Sequence, residues 1–353
     1  MNITADPIYH KALHRFALTT AITTGILIVA GALVTSTQSG LSVPDWPNTY
    51  GHFMFTFPLT KMVGGILYEH GHRMIASVVG FMILVLAFWL WKKEERRWVR
   101  MLGFLSLAAV ITQGILGGLT VLYYLPAPIS VSHATLAQTV VALISAIALF
   151  TSRWWMNEQP RLQNAESSRA LFTIGALAIA AIYVQLLLGA IMRHTESGLI
   201  VPDFPLAYGQ LIPSLSAEAL EKYTLQLRAM QLRKVVDGMV GADQIIVHLL
   251  HRIWGFVVGG IVFWFAVRLQ KQKHVSGRLA MLGWILECGI LLQIALGITT
   301  ILTQKNIEIA TAHVASGALL LIATVIALLH VARLSSVALV PQSFSLSVKE
   351  VPV

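Results

Sequence analysis

Four of the chain's 12 histidines fall into two matched pairs. His72 and His251 stand in the related stretches EHGHRMIASVVG (69–80) and HLLHRIWGFVVG (248–259), and His133 and His313 in VSHATLAQ and TAHVASGA. His72 and His133 are 61 residues apart, His251 and His313 62. Each lies near the start of a long apolar run, where an ionisable side chain is costly and ordinarily faces the inside of a helix bundle with a partner. A lone histidine there would be read as satisfied by a neighbouring carbonyl; four at one depth, paired by a repeat, point to ligation. Two neutral imidazoles on facing helices suit the axial positions of a flat iron macrocycle, and four-helix bundles build cofactor sites from side chains on facing helices. A zinc or di-iron site would want three or four clustered ligands, often carboxylates at helical spacing, and only Glu69 stands near these histidines on a helix. The residues therefore ask for one haem per half, held by His72 with His133 and by His251 with His313.

Glu69 breaks the symmetry. It precedes His72 by three residues, on nearly the same helix face, while its counterpart in the other repeat is His248. A carboxylate beside one haem alone suggests that one site does chemistry and the other moves electrons. Burial would suit Glu69 to proton handling; a solvated loop carboxylate is the alternative. Arg73 and Arg252, next to the first histidine of each pair, fit either haem propionates or anchors that snorkel to the interface. His10, His14 and His274 read as solvated, His330 as lying near the headgroups, His52 and His194 as loop residues, and His70 as off the ligand face. Gln113, Gln185 and Gln293 each precede a glycine by four residues, a pattern for close helix packing with amides bonding across the interface. Glu287 has no match in the first half and no assigned role.

The elements that carry these residues are membrane spans. Apolar residues make up 56% of the 353 and charged residues 12%, about half the share usual in soluble domains. Runs near 20 apolar residues match a hydrocarbon core of about 30 Å, and backbone groups in lipid force the helix. The runs predict spans at 16–35, 73–91, 101–122, 132–152, 170–192, 250–267, 279–302 and 310–332. Segments 1–15, 92–100, 153–169, 268–278 and 333–353 hold 2, 5, 3, 4 and 2 Lys or Arg, whereas the short loops on the opposite side hold only Lys61 and Lys305. Basic residues stay cytoplasmic, so both termini are expected inside. The net charge of +9 is thus a topology signal rather than a nucleic-acid surface. Asp6 and Pro7 precede a full-length span, unlike a cleaved leader, and a bacterial plasma membrane fits best. Cys288, the single cysteine, allows no intrachain disulfide.

The chain repeats itself. GALVTSTQSGLSVPDWPNTYG (31–51) returns as GAIMRHTESGLIVPDFPLAYG (189–209). This divides the chain into an N-terminal half, 1–160, and a C-terminal half, 161–353, each expected to be a four-helix bundle related to the other by pseudo-symmetry along the membrane normal. The second half carries an insertion within 210–247. Its residues 216–236 predict a helix with Leu220, Tyr223, Leu227 and Met230 on one stripe, opposite Lys222, Arg228 and Arg233. That helix would either cap a site or simply pack on the outer surface.

The motif Glu69-His70-Gly71-His72-Arg73, the matching His251-Arg252, the later His133 and His313 and the twice-used SGLxVPDxP loop make the chain resemble the haem A synthase family over about residues 10–333. The resemblance implies oxidation of the C8 methyl of haem O to a formyl group, by two successive hydroxylations and loss of water from the geminal diol. It implies that His72 and His133 flank the substrate haem O, with Glu69 catalytic beside them, and that His251 and His313 hold a haem b that relays electrons. It also implies haem O synthase as a partner. The electron donor or acceptor, the source of the oxygen and any homo-oligomeric assembly stay open. Residues 36–71 lack the cysteine pair of some bacterial members, placing the chain with the cysteine-free type. The competing reading is a non-catalytic di-haem electron-transfer protein; a transporter built on parallel repeats is disfavoured by the lack of paired Gly-Pro breaks in the second and sixth spans.

Overall fold

Helix follows helix along the chain. The computed structural model describes residues 9–162, 164–232 and 238–335. Its helices are α1 (Lys11–Ser36), α2 (Gly65–Lys93), α3 (Arg97–Leu122), α4 (Ala127–Phe150), α5 (Arg153–Asn157), α6 (Ala165–His194), α7 (Ala217–Ala229), α8 (Ala242–Gln270), α9 (Gly277–Leu302) and α10 (Ile307–Leu334). All except the short α5 and α7 are long and apolar enough to cross a membrane, eight among the described residues. The described residues form only isolated β-bridges and no strand.

The eight long helices close into two rings. α1 packs on α2, α2 on α3, α3 on α4 and α4 back on α1; α6 packs on α8, α8 on α9, α9 on α10 and α10 back on α6. The rings join where α10 lies on α1 and α4, and α4 on α6. Each has its own apolar interior, Leu13, Ile83, Leu86, Leu90, Ile144 and Ile147 in the first and Leu171, Phe265, Leu269, Leu279 and Leu286 in the second. Outward-facing residues are apolar too: Ile22, Ile26, Phe81, Phe88, Leu291 and Leu319 are all exposed. An apolar exterior on this scale needs a hydrocarbon surround.

All eight spanning helices begin earlier than the apolar runs alone predict, α2 and α8 by the most. α2 starts at Gly65 rather than 73 and α8 at Ala242 rather than 250. Glu69, His70 and His248 extend them as helix despite their polarity because they are covered, at 3%, 2% and 2% exposure. His72 and His251 consequently sit two turns or more inside their helices rather than at the first turn. Side-chain caps fix other starts: Asn164 accepts from Ser167 N at α6, and Asn306 from Glu308 N and Ile309 N at α10.

Two peripheral histidines depart from the sequence reading. His14 is not simply solvated, since its Nδ1 meets the Ala148 carbonyl at 3.1 Å. His330 is buried and stacks on Trp154 with ring centroids 4.0 Å apart. Glu287 accepts from Gln270 Nε2 at 2.5 Å, a link between α9 and α8.

Candidate functional site

Each of the four paired histidines lies edge-on against a glycine of a neighbouring helix. A methyl group at Gly31 (α1) would stand 3.1 Å from His72 Cε1, one at Gly117 (α3) 3.1 Å from His133 Cε1, one at Gly189 (α6) 3.2 Å from His251 Cε1, and one at Gly297 (α9) 3.0 Å from His313 Cε1. Only glycine lets these rings lie so close to the adjoining backbone. The same seat thus occurs four times, and it brings the histidines together in pairs: His72 is an electrostatic neighbour of His133, and His251 of His313.

In the second ring the pair lines a cleft of about 980 Å³, its open mouth included. Its wall is largely apolar, with Phe204, Ile294 and Ile298 beside His251, His313 and Arg252. The donor set fits an iron macrocycle. Nδ1 of His72 and His251 is buried with no hydrogen-bond partner, and that of His313 faces the Gln293 backbone, which leaves Nε2 as the ring nitrogen for an iron. His133 Nδ1 instead meets the Gln113 carbonyl at 3.2 Å, the type of outer contact that sets a ligating histidine's tautomer. No group of three or more His, Cys, Asp or Glu among the described residues could hold a metal ion by itself. Imidazoles in pairs, not a protein-only metal cage, are what the fold builds.

Above each pair lies the repeated loop, alike almost atom for atom. Asp45 accepts from Tyr50 N and Gly51 N at 2.8 Å each; Asp203 accepts from Tyr208 N and Gly209 N at the same distance. Tyr50 and Tyr208 donate through their hydroxyls to the Ser42 and Ile200 carbonyls. The glycines are required, with φ of 74° at Gly51 and 75° at Gly209. Partial burial pushes the Asp45 carboxyl up, but the backbone N–H groups of Gly51 and Tyr50 and the charge of Arg73 outweigh it and hold Asp45 below its ordinary value of 3.8.

The two arginines tie these loops to the helices. Arg73 donates to the Asp45 carbonyl at 2.7 Å and the Val43 carbonyl at 2.8 Å, and Arg252 to the Asp203 carbonyl at 2.7 Å and the Val201 carbonyl at 2.9 Å. Arg252 also lines the cleft, and its Nε is buried without a partner. Glu69 is no solvated loop residue. Oε1 takes Arg73 NH2 at 2.6 Å and Oε2 takes Val43 N at 2.7 Å. His248 occupies the matching place in the second ring, its Nδ1 2.7 Å from the Ser197 carbonyl. His70 points to Thr49, Nδ1 to Oγ1 at 3.0 Å, away from the pair.

Three features escaped the sequence reading. The seat glycines Gly31 and Gly189 open the very repeat that was aligned, so their recurrence was the available signal. Gln113 and Gln185 bond across the helix interface as expected, and what escaped was their acceptors, the backbone carbonyls of His133 and His251 at 2.9 and 3.1 Å. Arg193, one turn beyond Gly189, leaves an NH2 buried and unpartnered where the first half has Thr35. The insertion helix is α7, shorter than expected. Tyr223 stacks on Tyr208 at 3.7 Å, and Tyr223 and Leu227 are buried against Ile200, Val201 and Ile245, whereas Met230 lies beyond the helix end and is exposed. Arg233 lies outside the described residues, and no α7 residue lines the cleft.

A family model named COX15-CtaA, described as cytochrome oxidase assembly protein, matches residues 14–325. The chain is similar to proteins named heme A synthase from several bacteria. That of Alkalihalophilus pseudofirmus is 28% identical over 313 residues, covering 86% of this chain and 92% of its own length. That of Halalkalibacterium halodurans is 29% identical over 317 residues, with 86% and 92% covered, and that of Shewanella oneidensis 24% over 323 residues, with 87% and 92% covered.

Proposed function

This chain belongs to the COX15-CtaA family of cytochrome oxidase assembly proteins, and from that premise we propose that it is a haem A synthase, oxidising the C8 methyl of haem O to a formyl group. The observation that carries the reading is the uneven pair of histidine sites: four equivalent glycine seats, with the buried Glu69 in one ring and His248 in its place in the other. Two sites of identical duty would need no such difference.

In this reading His72 and His133 flank the substrate haem O, and His251 and His313 hold a haem b. The bound haem b supplies one-electron transfer. The chain's own residues do the rest. Glycine seats orient the imidazoles, the apolar cleft wall keeps water from the macrocycle, and the arginine-tied loops close the ends of the pairs. In this reading Arg252, which lines the cleft, meets a haem propionate, and Arg73 serves the other half while holding its loop. Taking a methyl to a formyl group withdraws four electrons and releases protons, in two hydroxylation stages followed by loss of water. Glu69 is the acceptor for protons leaving the substrate edge. Its oxygens accept bonds from Arg73 and Val43, and a carboxylate oxygen has room for a second.

The setting follows from the same premise. The protein spans a bacterial plasma membrane with both termini on the cytoplasmic side, its halves 1–160 and 161–353 related by pseudo-symmetry. Its haem O comes from a haem O synthase, and a redox partner exchanges its electrons.

Co-expression with a haem O synthase, in a host that makes no haem A, tests the reading. Haem A in the extracted pigments is the expected result. Haem O accumulating unchanged beside a folded, haem-loaded protein would overturn it and leave the di-haem electron carrier.

A further inference from the structure

The four seats are alike in their glycines and unlike one turn deeper. Four residues before the glycine, on the same helix face, three of them carry glutamine. Gln113 donates its amide to the His133 carbonyl at 2.9 Å and stands 3.4 Å from His133 Nε2, while its own carbonyl meets His133 Nδ1 at 3.2 Å. Gln185 donates to the His251 carbonyl at 3.1 Å and stands 3.3 Å from its Nε2. Gln293 accepts from Ser316 Oγ, which also lies 3.2 Å from the His313 carbonyl as donor. The Gly31 seat has Leu27 at this position. Leu27 packs into the apolar interior of the first ring and offers neither donor nor acceptor. No glutamine reaches His72 among the described residues, and its Nδ1, like that of His251, is buried and unpartnered.

We propose that His72 is the exchangeable iron ligand of the N-terminal half, and that Leu27 is the positioning residue that leaves it so. The inference rests on reading the histidine pairs as haem ligands. Outer-sphere hydrogen bonds fix a ligating imidazole's orientation, and their loss typically costs about 10–100-fold in metal affinity or activity. His133 is held by Gln113 on its ring and through its backbone, so within the same pair one ligand is braced and the other is held by packing alone. Leu27 sits two helical turns inside the fold from Thr35, well away from the loop that Arg73 and Glu69 secure. The asymmetry is therefore separate from the one Glu69 makes. It separates the two ligands of the N-terminal pair, His133 tied to Gln113 and His72 not.

The test is carbon monoxide binding to the full-length protein, reconstituted with haem b in both halves and reduced. In the wild type, one of the two haems is expected to bind carbon monoxide and the other to stay six-coordinate and unreactive. Leu27→Gln, which supplies the missing amide, should slow carbon monoxide binding at the N-terminal haem by about 10-fold or more. Gln185→Leu should make the second haem reactive, and it reads the same principle should Leu27→Gln fail to fold. Two haems of equal reactivity in the wild type, or rates untouched by both substitutions, would overturn the proposal while leaving the synthase reading intact. A chain whose N-terminal half takes up no haem at all would overturn both.

Discussion

In the proposed reaction Glu69 bears most of the weight carried by any single side chain. It sits in a buried ion pair, its own side chain 4% exposed and that of Arg73 10%. Replacing Glu69 by Gln keeps an oxygen for the Val43 N–H but removes the charge opposite Arg73 and the site that takes protons. Haem A formation should fall by about 100-fold or more while haem content measured from the absorption spectrum stays near that of the wild type; a variant as active as the parent contradicts the proton role. The seats make a second residue-level prediction. Gly297→Ala places a methyl 3.0 Å from His313 Cε1, so the ring must shift, and the haem absorbance of the second ring per chain should drop while helix content by circular dichroism holds. At this scale the sequence made the two histidine pairs legible, because the repeat aligned them. It did not reveal what surrounds Glu69, since its partner Val43 N lies 26 residues away in a loop whose path no helical spacing describes.

Among the elements, the paired loops do most of the positioning. Their order depends on carboxylates that gather backbone N–H groups, and Asp45 titrates below its ordinary value of 3.8. A depressed carboxyl stabilises the folded loop fully above the unfolded value and loses that contribution as pH falls through the lower folded one. The first loop should therefore hold from neutral pH down to about pH 4 and loosen below it, seen as a rise in limited proteolysis within 39–51. Asp45→Asn should show raised cleavage already at neutral pH and little further change on acidification. Proteolysis of the wild-type loop that ignores pH down to 2 contradicts the role given to Asp45. The eight spans were readable from apolar run length, yet their outer ends were not. α2 and α8 extend eight residues beyond their runs because the loops bury polar residues that composition assigns to water. α7 was readable as an amphipathic helix, and Tyr223 and Leu227 of its stripe are indeed buried. Its partner surface, the loop around Tyr208, was beyond reach of a helix-period argument.

At the scale of the whole molecule, two rings with separate apolar interiors share a seam along α10, α1, α4 and α6. Separate interiors predict separate sites: losing one histidine pair should leave the other ring's haem in place. The repeat made this division visible in the sequence. The seam was not visible, because the residues that join the rings are as apolar as those that face lipid, and only packing tells them apart. The most direct measurement counts haems per chain, by absorbance and by the low-spin signal of six-coordinate iron. It is made on the wild type, on His72→Ala/His133→Ala, on His251→Ala/His313→Ala and on the variant lacking all four. Two haems, one, one and none is the predicted series, with each double variant keeping the spectrum of the untouched ring. A chain that retains its full haem content after all four histidines are replaced would contradict the account.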